Sequence, residues 1–174
     1  MLVVLEAYQK DTSEMKKLKI YLDTSAIGFL DEQTNPKEME EMRQLWELIK
    51  CGKYDVIISP IVIDELMANK NITKRDVLLD CLKQIEYEIV DITDETHSIS
   101  KSVVQNAILT DANYNDCLHI ACAISNNCDC LVSFNFKHLV NIKTIKGVRA
   151  ISNLQGYGNI DIVSAIALIQ KEGE

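Results

Sequence analysis

Four oxygen-bearing side chains, Asp23, Glu65, Asp116 and Asn135, occupy comparable places along the chain. Each lies where an apolar run stops or a helix begins. "KIYLDTS" (19–25) is a strand-like run that meets Asp23, Thr24 and Ser25. "SPIVIDEL" (59–66) offers Ser59 as a cap and Pro60 at a first helical position, with Glu65 about a turn and a half further on. "YNDCLHIACAI" (114–124) opens a helix with Asn115 and Asp116, and "VSFNFKHL" (132–139) leaves a strand through Ser133 and Asn135. Singly, these residues read as caps, turn residues or solvated helix acids. Jointly they are a set of hard oxygen ligands, suited to Mg²⁺ or Mn²⁺. Two carboxylates about 4 Å apart repel by roughly 4 kcal/mol at an effective dielectric near 20. A fold that gathers three must bind a cation or raise their pKa values.

The elements that would gather them are legible as alternation. Strand-like runs occupy 19–23, 54–59, 86–92 and 130–134, with less distinct ones at 148–152 and 159–163. Helical patterns occupy 36–52, 60–84 (as two helices), 94–107 and 115–125. Met39, Met42, Leu45, Trp46 and Ile49 recur at helical spacing in the first of these, and Gly52 stops it. The last is apolar nearly all round and must be central. Strands alternating with helices imply crossovers, a mainly parallel sheet of about five strands and a three-layer α/β/α sandwich. Sites in such sheets form beyond the carboxyl ends of the strands, where Asp23 would stand.

"YLDTSAI", "SPIVIDEL", "NDCLHIACAI" and "SFNFKHL" together resemble the successive motifs of the PIN-domain ribonucleases, in particular the VapC-like toxins of toxin–antitoxin pairs. The resemblance covers roughly residues 18–164 and lies in motif order and spacing. It implies a PIN-like fold and Mg²⁺- or Mn²⁺-dependent endonucleolytic cleavage of RNA. Asp23, Glu65 and Asp116 match the acidic metal-binding positions. Asn135 matches a fourth position where many members carry an acid and others Asn. Ser25 and Ser133 match neighbouring hydroxyl positions. The resemblance further implies an antitoxin that occupies the cleft, and a homodimer. His119, one turn beyond Asp116, can reach the acid cluster, although a packed helix residue is its plainer role. His138 reads as a turn residue.

Composition bounds the rest. The chain has 174 residues and a net charge of −8, which suits one soluble domain and argues against coating nucleic acid by charge alone. "MKKLKIYLDTS" from Met15 reads as a natural start, so residues 1–14 are expected to be optional, within an N-terminal extension over 1–17 that precedes a domain over 18–174. No apolar run approaches a membrane span and the start lacks a basic region before an apolar one, so a cytoplasmic protein is expected. The six cysteines form no C-x-x-C pair and read as free thiols in a reducing compartment. Basic residues concentrate after Asp129: Lys137, Lys143, Lys146 and Arg149 would give phosphates a path, with Lys16, Lys17 and Lys19 as a second cluster beside the first motif.

Other chemistries fit less well. A haloacid-dehalogenase-like phosphatase needs an Asp two residues after Asp23, where Ser25 stands; a receiver domain needs an acid pair after its first strand. No Gly-rich phosphate loop is present. The serious rival is a catalytically weak or inactive PIN-like module that binds RNA or protein.

Overall fold

Ile20, Tyr21 and Leu22 are fully buried, because β1 (Leu18–Leu22) is covered on both faces. That is why its sequence is a run of apolar residues rather than an alternation. The computed structural model describes residues 17–169. Its sheet is entirely parallel, in the order β3-β2-β1-β4-β5. Beside β1 lie β2 (Tyr54–Ile58) and β4 (Cys130–Val132), with Ile20 opposite both Val56 and Cys130. The edges are β3 (Glu88–Ile89) and β5 (Asp161–Val163).

Helices α1 (Thr24–Gly28) and α2 (Pro36–Lys50) lead from β1 to β2; α3 (Pro60–Met67) and α4 (Ile72–Leu82) lead from β2 to β3. Helices α5 (Asp94–Gln105) and α6 (Tyr114–Ser125) connect β3 to β4, and α7 (Ile142–Leu154) connects β4 to β5. The α2 helix buries Met42, Leu45, Trp46 and Ile49 of the expected face and leaves Met39 half-buried, and Gly52 beyond its end takes a positive φ of 72°. Every residue of α6 from Cys117 to Ile124 is buried, which makes it the central helix. This is the three-layer arrangement expected from the alternation of patterns.

Two expected elements differ. The run 148–152 is no strand: it is the second half of α7. Asn141 caps that helix by accepting from the Thr144 N–H at 3.0 Å, and Thr144, Val148, Ile151 and Ser152 form its buried face at helical spacing. Gly147, which suggests a breaker, lies inside the helix because it passes Ile108; a Cβ there would stand 2.6 Å from Ile108 Cγ1. Gly147→Ala should therefore destabilise the fold by about 1–3 kcal/mol through overpacking, read as a lower melting temperature. The late run at 159–163 does supply a strand, β5. The 86–92 run shrinks to Glu88–Ile89, since its partner β2 gives way to α3 after Ile58. At its other end Glu86 and Tyr87, with Asp55 and Val56, line a cleft of about 620 Å³.

The expected extension over residues 1–17 lies outside the described residues except for Lys17, as does Lys16. All six cysteines are free. Burial pushes the thiols of Cys117, Cys122 and Cys130 up to about 11 and that of Cys128 to about 12, so they act as small apolar residues. Among the described residues no helix is long and apolar enough to cross a membrane.

Candidate active site

The order of the sheet reverses at β1, since the chain moves outward through β2 and β3 and then returns to β4 on the other side. The crevice beyond the carboxyl ends of β1 and β4 is the place where such a fold builds a site. Asp23 follows β1, while Ser133 and Asn135 follow β4. Glu65 comes from α3 after β2, and Asp116 from the first turn of α6.

Asp23 is only 3% exposed. It caps α1, with Oδ1 accepting from the Ala26 N–H at 2.8 Å and from Ser25 Oγ at 2.7 Å. The capping role and the site role therefore coexist in one side chain. Burial raises its pKa, and His119, Ser133, Ala26 and Ser25 only partly offset this. Ser25 Oγ also accepts from the Phe134 N–H at 2.8 Å and lies 3.2 Å from Ser133 Oγ, which ties the β1 loop to the β4 loop. Ser133 Oγ in turn accepts from the Asn135 N–H at 2.9 Å.

Glu65 has a different environment. Its Oε2 accepts from Thr24 Oγ1 and meets His119 Nε2 at 3.2 Å, while Oε1 accepts from Asn115 Nδ2 at 2.9 Å. Burial pulls its pKa up, but the donors from His119, Thr24 and Asn115 win and hold it at about 2. Asp116 is engaged by Asn135 Nδ2 at 3.1 Å and by His138 Nδ1 at 2.9 Å. The hydrogen bonds form two sets: Asp23, Ser25, Ser133, Asn135 and Asp116 join the start of α1, the β4–α7 loop and α6, while Glu65 and His119 join α3, α1 and α6. The sets adjoin along the chain at Thr24–Ser25 and Asn115–Asp116. Glu65, Asp116 and His138 line an open cleft of about 440 Å³.

Among the described residues no three carboxylate, imidazole or thiol groups converge as a metal-holding cluster; each carboxylate is held by its own donors. The chemistry of the donor set nevertheless fits a hard divalent cation. Three carboxylates and the hydroxyls of Thr24 and Ser25 supply oxygen donors, and Asp23 is a buried carboxylate with no ion pair to lysine or arginine among the described residues.

The basic residues divide. Lys137, Lys143 and Lys146 are exposed, the first on the loop after β4 and the others in the first half of α7. Arg149 is two turns into α7 and is bound by Asp161. Lys17 and Lys19 belong to the opposite edge, contrary to expectation: they stand at the start of β1, where the Lys19 N–H donates to Asp129 Oδ2 and the side chain reaches the Asn126 carbonyl. A strand advances about 3.3 Å per residue, so six residues carry Asp23 roughly 20 Å from Lys17. Phe134 is buried and stacks on Phe29, while Phe136 is half exposed.

His138 is more than a turn residue, since its ring pairs with Asp116. The one sequence signal was its spacing, three residues after Asn135. Tyr21 and Ser59 also belong to the site's hydrogen bonds, and their sequence context gave no reason to expect it.

The family model of the PIN domain matches residues 20–142. No curated protein matches the chain. Among solved structures, a chain in the crystal structure of VapBC2 from Rickettsia felis, bound to a DNA fragment from their promoter, is similar with a TM-score of 0.51. That similarity covers 69% of this chain and 90% of that one at 21% identity, a likeness of fold.

Proposed function

The chain belongs to the PIN-domain family, and from that membership we propose that it is a metal-dependent endoribonuclease, the toxin half of a toxin–antitoxin pair. The observation that supports the proposal is that Asp23, Glu65 and Asp116 come from three separate elements at the reversal of strand order, with Asp23 and Asp116 linked through Ser25, Ser133 and Asn135, and Glu65 bound to Thr24, the neighbour of Asp23. In this reading Asp23, Glu65 and Asp116 hold Mg²⁺ or Mn²⁺, and Asn135 steadies Asp116 through its amide. When bound, the cation supplies charge neutralisation at the phosphodiester and acidifies a water. Ser25 and Ser133 orient the buried Asp23 carboxylate and hold the β1 and β4 loops together. In this reading the sugar–phosphate chain lies in the cleft that Asn113, Asn115 and His138 line together with Glu65, Asp111 and Asp116, the cation offsetting the repulsion of the carboxylates.

The partner in this reading is an antitoxin that covers the cleft, and the protein acts as a homodimer. The separate partnering of the three carboxylates favours one rival, a PIN-like module that binds RNA without cutting it. Labelled RNA incubated with Mn²⁺ or with EDTA separates the two. Metal-dependent cleavage supports the nuclease; binding without metal-dependent cleavage selects the module.

The same preparation tests the RNA path. Replacing Lys137, Lys143 and Lys146 together by Ala should weaken RNA binding and flatten its salt dependence. Each phosphate contact contributes about 0.7 to the slope on a single strand, so losing three lowers it by about 2. Arg149→Ala should change the slope little, because Asp161 already holds that guanidinium. An unchanged slope in the triple variant would remove these lysines from the interface.

A further inference from the structure

We propose that Tyr21 is a positioning residue of this site, its buried hydroxyl fixing the His119 ring so that Nε2–H is aimed at the Glu65 carboxylate. The inference rests on the metal-dependent reading for its consequence, but its geometry stands alone. Tyr21 is fully buried in β1, between Ile20 and Leu22 and two residues before Asp23. Phenylalanine would fill nearly the same space. A buried hydroxyl is costly unless it is hydrogen-bonded, and this one has two partners: His119 Nδ1 at 2.8 Å and Ser59 Oγ at 2.7 Å.

Ser59 strengthens the case. It stands at the N-cap of α3, yet its side chain makes no capping bond and turns to Tyr21 instead. One phenol thus joins β1, the start of the helix that carries Glu65, and the helix that carries Asp116. Both nitrogens of the buried His119 ring are engaged, Nδ1 by Tyr21 and Nε2 by Glu65.

The direction of these bonds follows from their chemistry. The Glu65 carboxylate already accepts from Thr24 Oγ1 and Asn115 Nδ2, and an ionised carboxylate only accepts. Nε2 must then carry a hydrogen. In the neutral ring Nδ1 accepts, so Tyr21 donates to it and itself accepts from Ser59. The string runs Ser59 to Tyr21 to His119 to Glu65, with every polar atom satisfied. Outer partners that orient a metal-holding group in this way typically change metal affinity or activity by 10–100-fold when removed.

The test uses the full chain carrying Tyr21→Phe, His119→Gln and both together. In metal-free protein, imidazole ¹⁵N–¹H correlation spectra should show His119 as the Nε2–H tautomer in the wild type and lose that preference in Tyr21→Phe. Mn²⁺ titration calorimetry should give about 10-fold weaker binding for Tyr21→Phe, and kcat should fall about as much with KM for RNA unchanged. Because Tyr21 acts through His119, the double variant should lose no more than His119→Gln alone. Ser59→Ala, which leaves the Tyr21 hydroxyl in place, should keep the Nε2–H tautomer and serves as a second readout if Tyr21→Phe folds poorly. An unaltered tautomer in Tyr21→Phe, or additive losses in the double variant, would overturn the proposal. A wild type that binds no Mn²⁺ would overturn the metal reading instead, while the tautomer spectra still decide whether Tyr21 sets the ring.

Discussion

Asp23→Asn should lower kcat for RNA cleavage by at least about 10²–10³-fold, and it should raise the melting temperature of the metal-free protein. The first half follows from the role proposed for the carboxylate, since a neutral amide cannot replace its charge opposite a divalent cation. The second half follows from burial. Asp23 is almost fully buried and its folded-state pKa is raised, so the folded protein disfavours the charged form more than the unfolded chain does. At neutral pH that ionised group detracts from stability. The penalty is largest above the folded-state pKa and vanishes below the unfolded value, about 3.9, where both states are protonated. Asn removes the charge, keeps an oxygen for the Ala26 N–H and the Ser25 hydroxyl, and is as good an N-cap. The gain in melting temperature should thus appear at pH 7 and shrink as pH falls toward 4. Cleavage assays with Mn²⁺ and melts at the two pH values check both halves. An Asp23→Asn protein that cleaves like the wild type removes Asp23 from the chemistry.

How much of this was legible depended on whether the signal was local. The β1, β2 and β4 strands and the α6 helix are read correctly because burial on both faces demands unbroken apolar runs, and these stand in the sequence. The motif acids could be placed at one edge because the parallel topology fixes which end of each strand they follow. The α7 helix was hidden because Val148 and Ile151 are β-branched and Gly147 suggests a stop; the reason for that glycine, its approach to Ile108, is a contact across the fold. Lys17 and Lys19 are near Asp23 in sequence but a strand's length away in space. The bond from Ser59 to Tyr21 was equally hidden, since a Ser before Pro60 reads as a cap and a Tyr in a strand reads as packing. Polar contacts among residues 38 and 98 positions apart leave no periodic trace.

Millimolar Mn²⁺ should raise the wild-type melting temperature, and Glu65→Gln should abolish most of that rise. At about 100 times the dissociation constant, a ligand specific to the folded state contributes about 2.7 kcal/mol. For a chain of this size that is roughly 5–11 °C. The metal-free behaviour of Glu65→Gln should be opposite to that of Asp23→Asn. Burial works against the Glu65 charge, but the donors from His119, Thr24 and Asn115 outweigh it and hold the pKa at about 2, so its ionised form stabilises the fold. That contribution is present above the unfolded value, about 4.3, and is lost as pH falls through the folded one. Gln forfeits it, so the metal-free variant should melt below the wild type at pH 7 and approach it toward pH 2. Two carboxylates of one site then respond to neutralisation with opposite signs, the buried one strained by its charge and the well-donated one anchored by it. Both variants should nevertheless lose the response to Mn²⁺, because the cation needs each charge however the apo fold regards it. Simple removal of a folding contact predicts no such convergence, and a wild-type melting temperature indifferent to Mn²⁺ would count against the metal site as a whole.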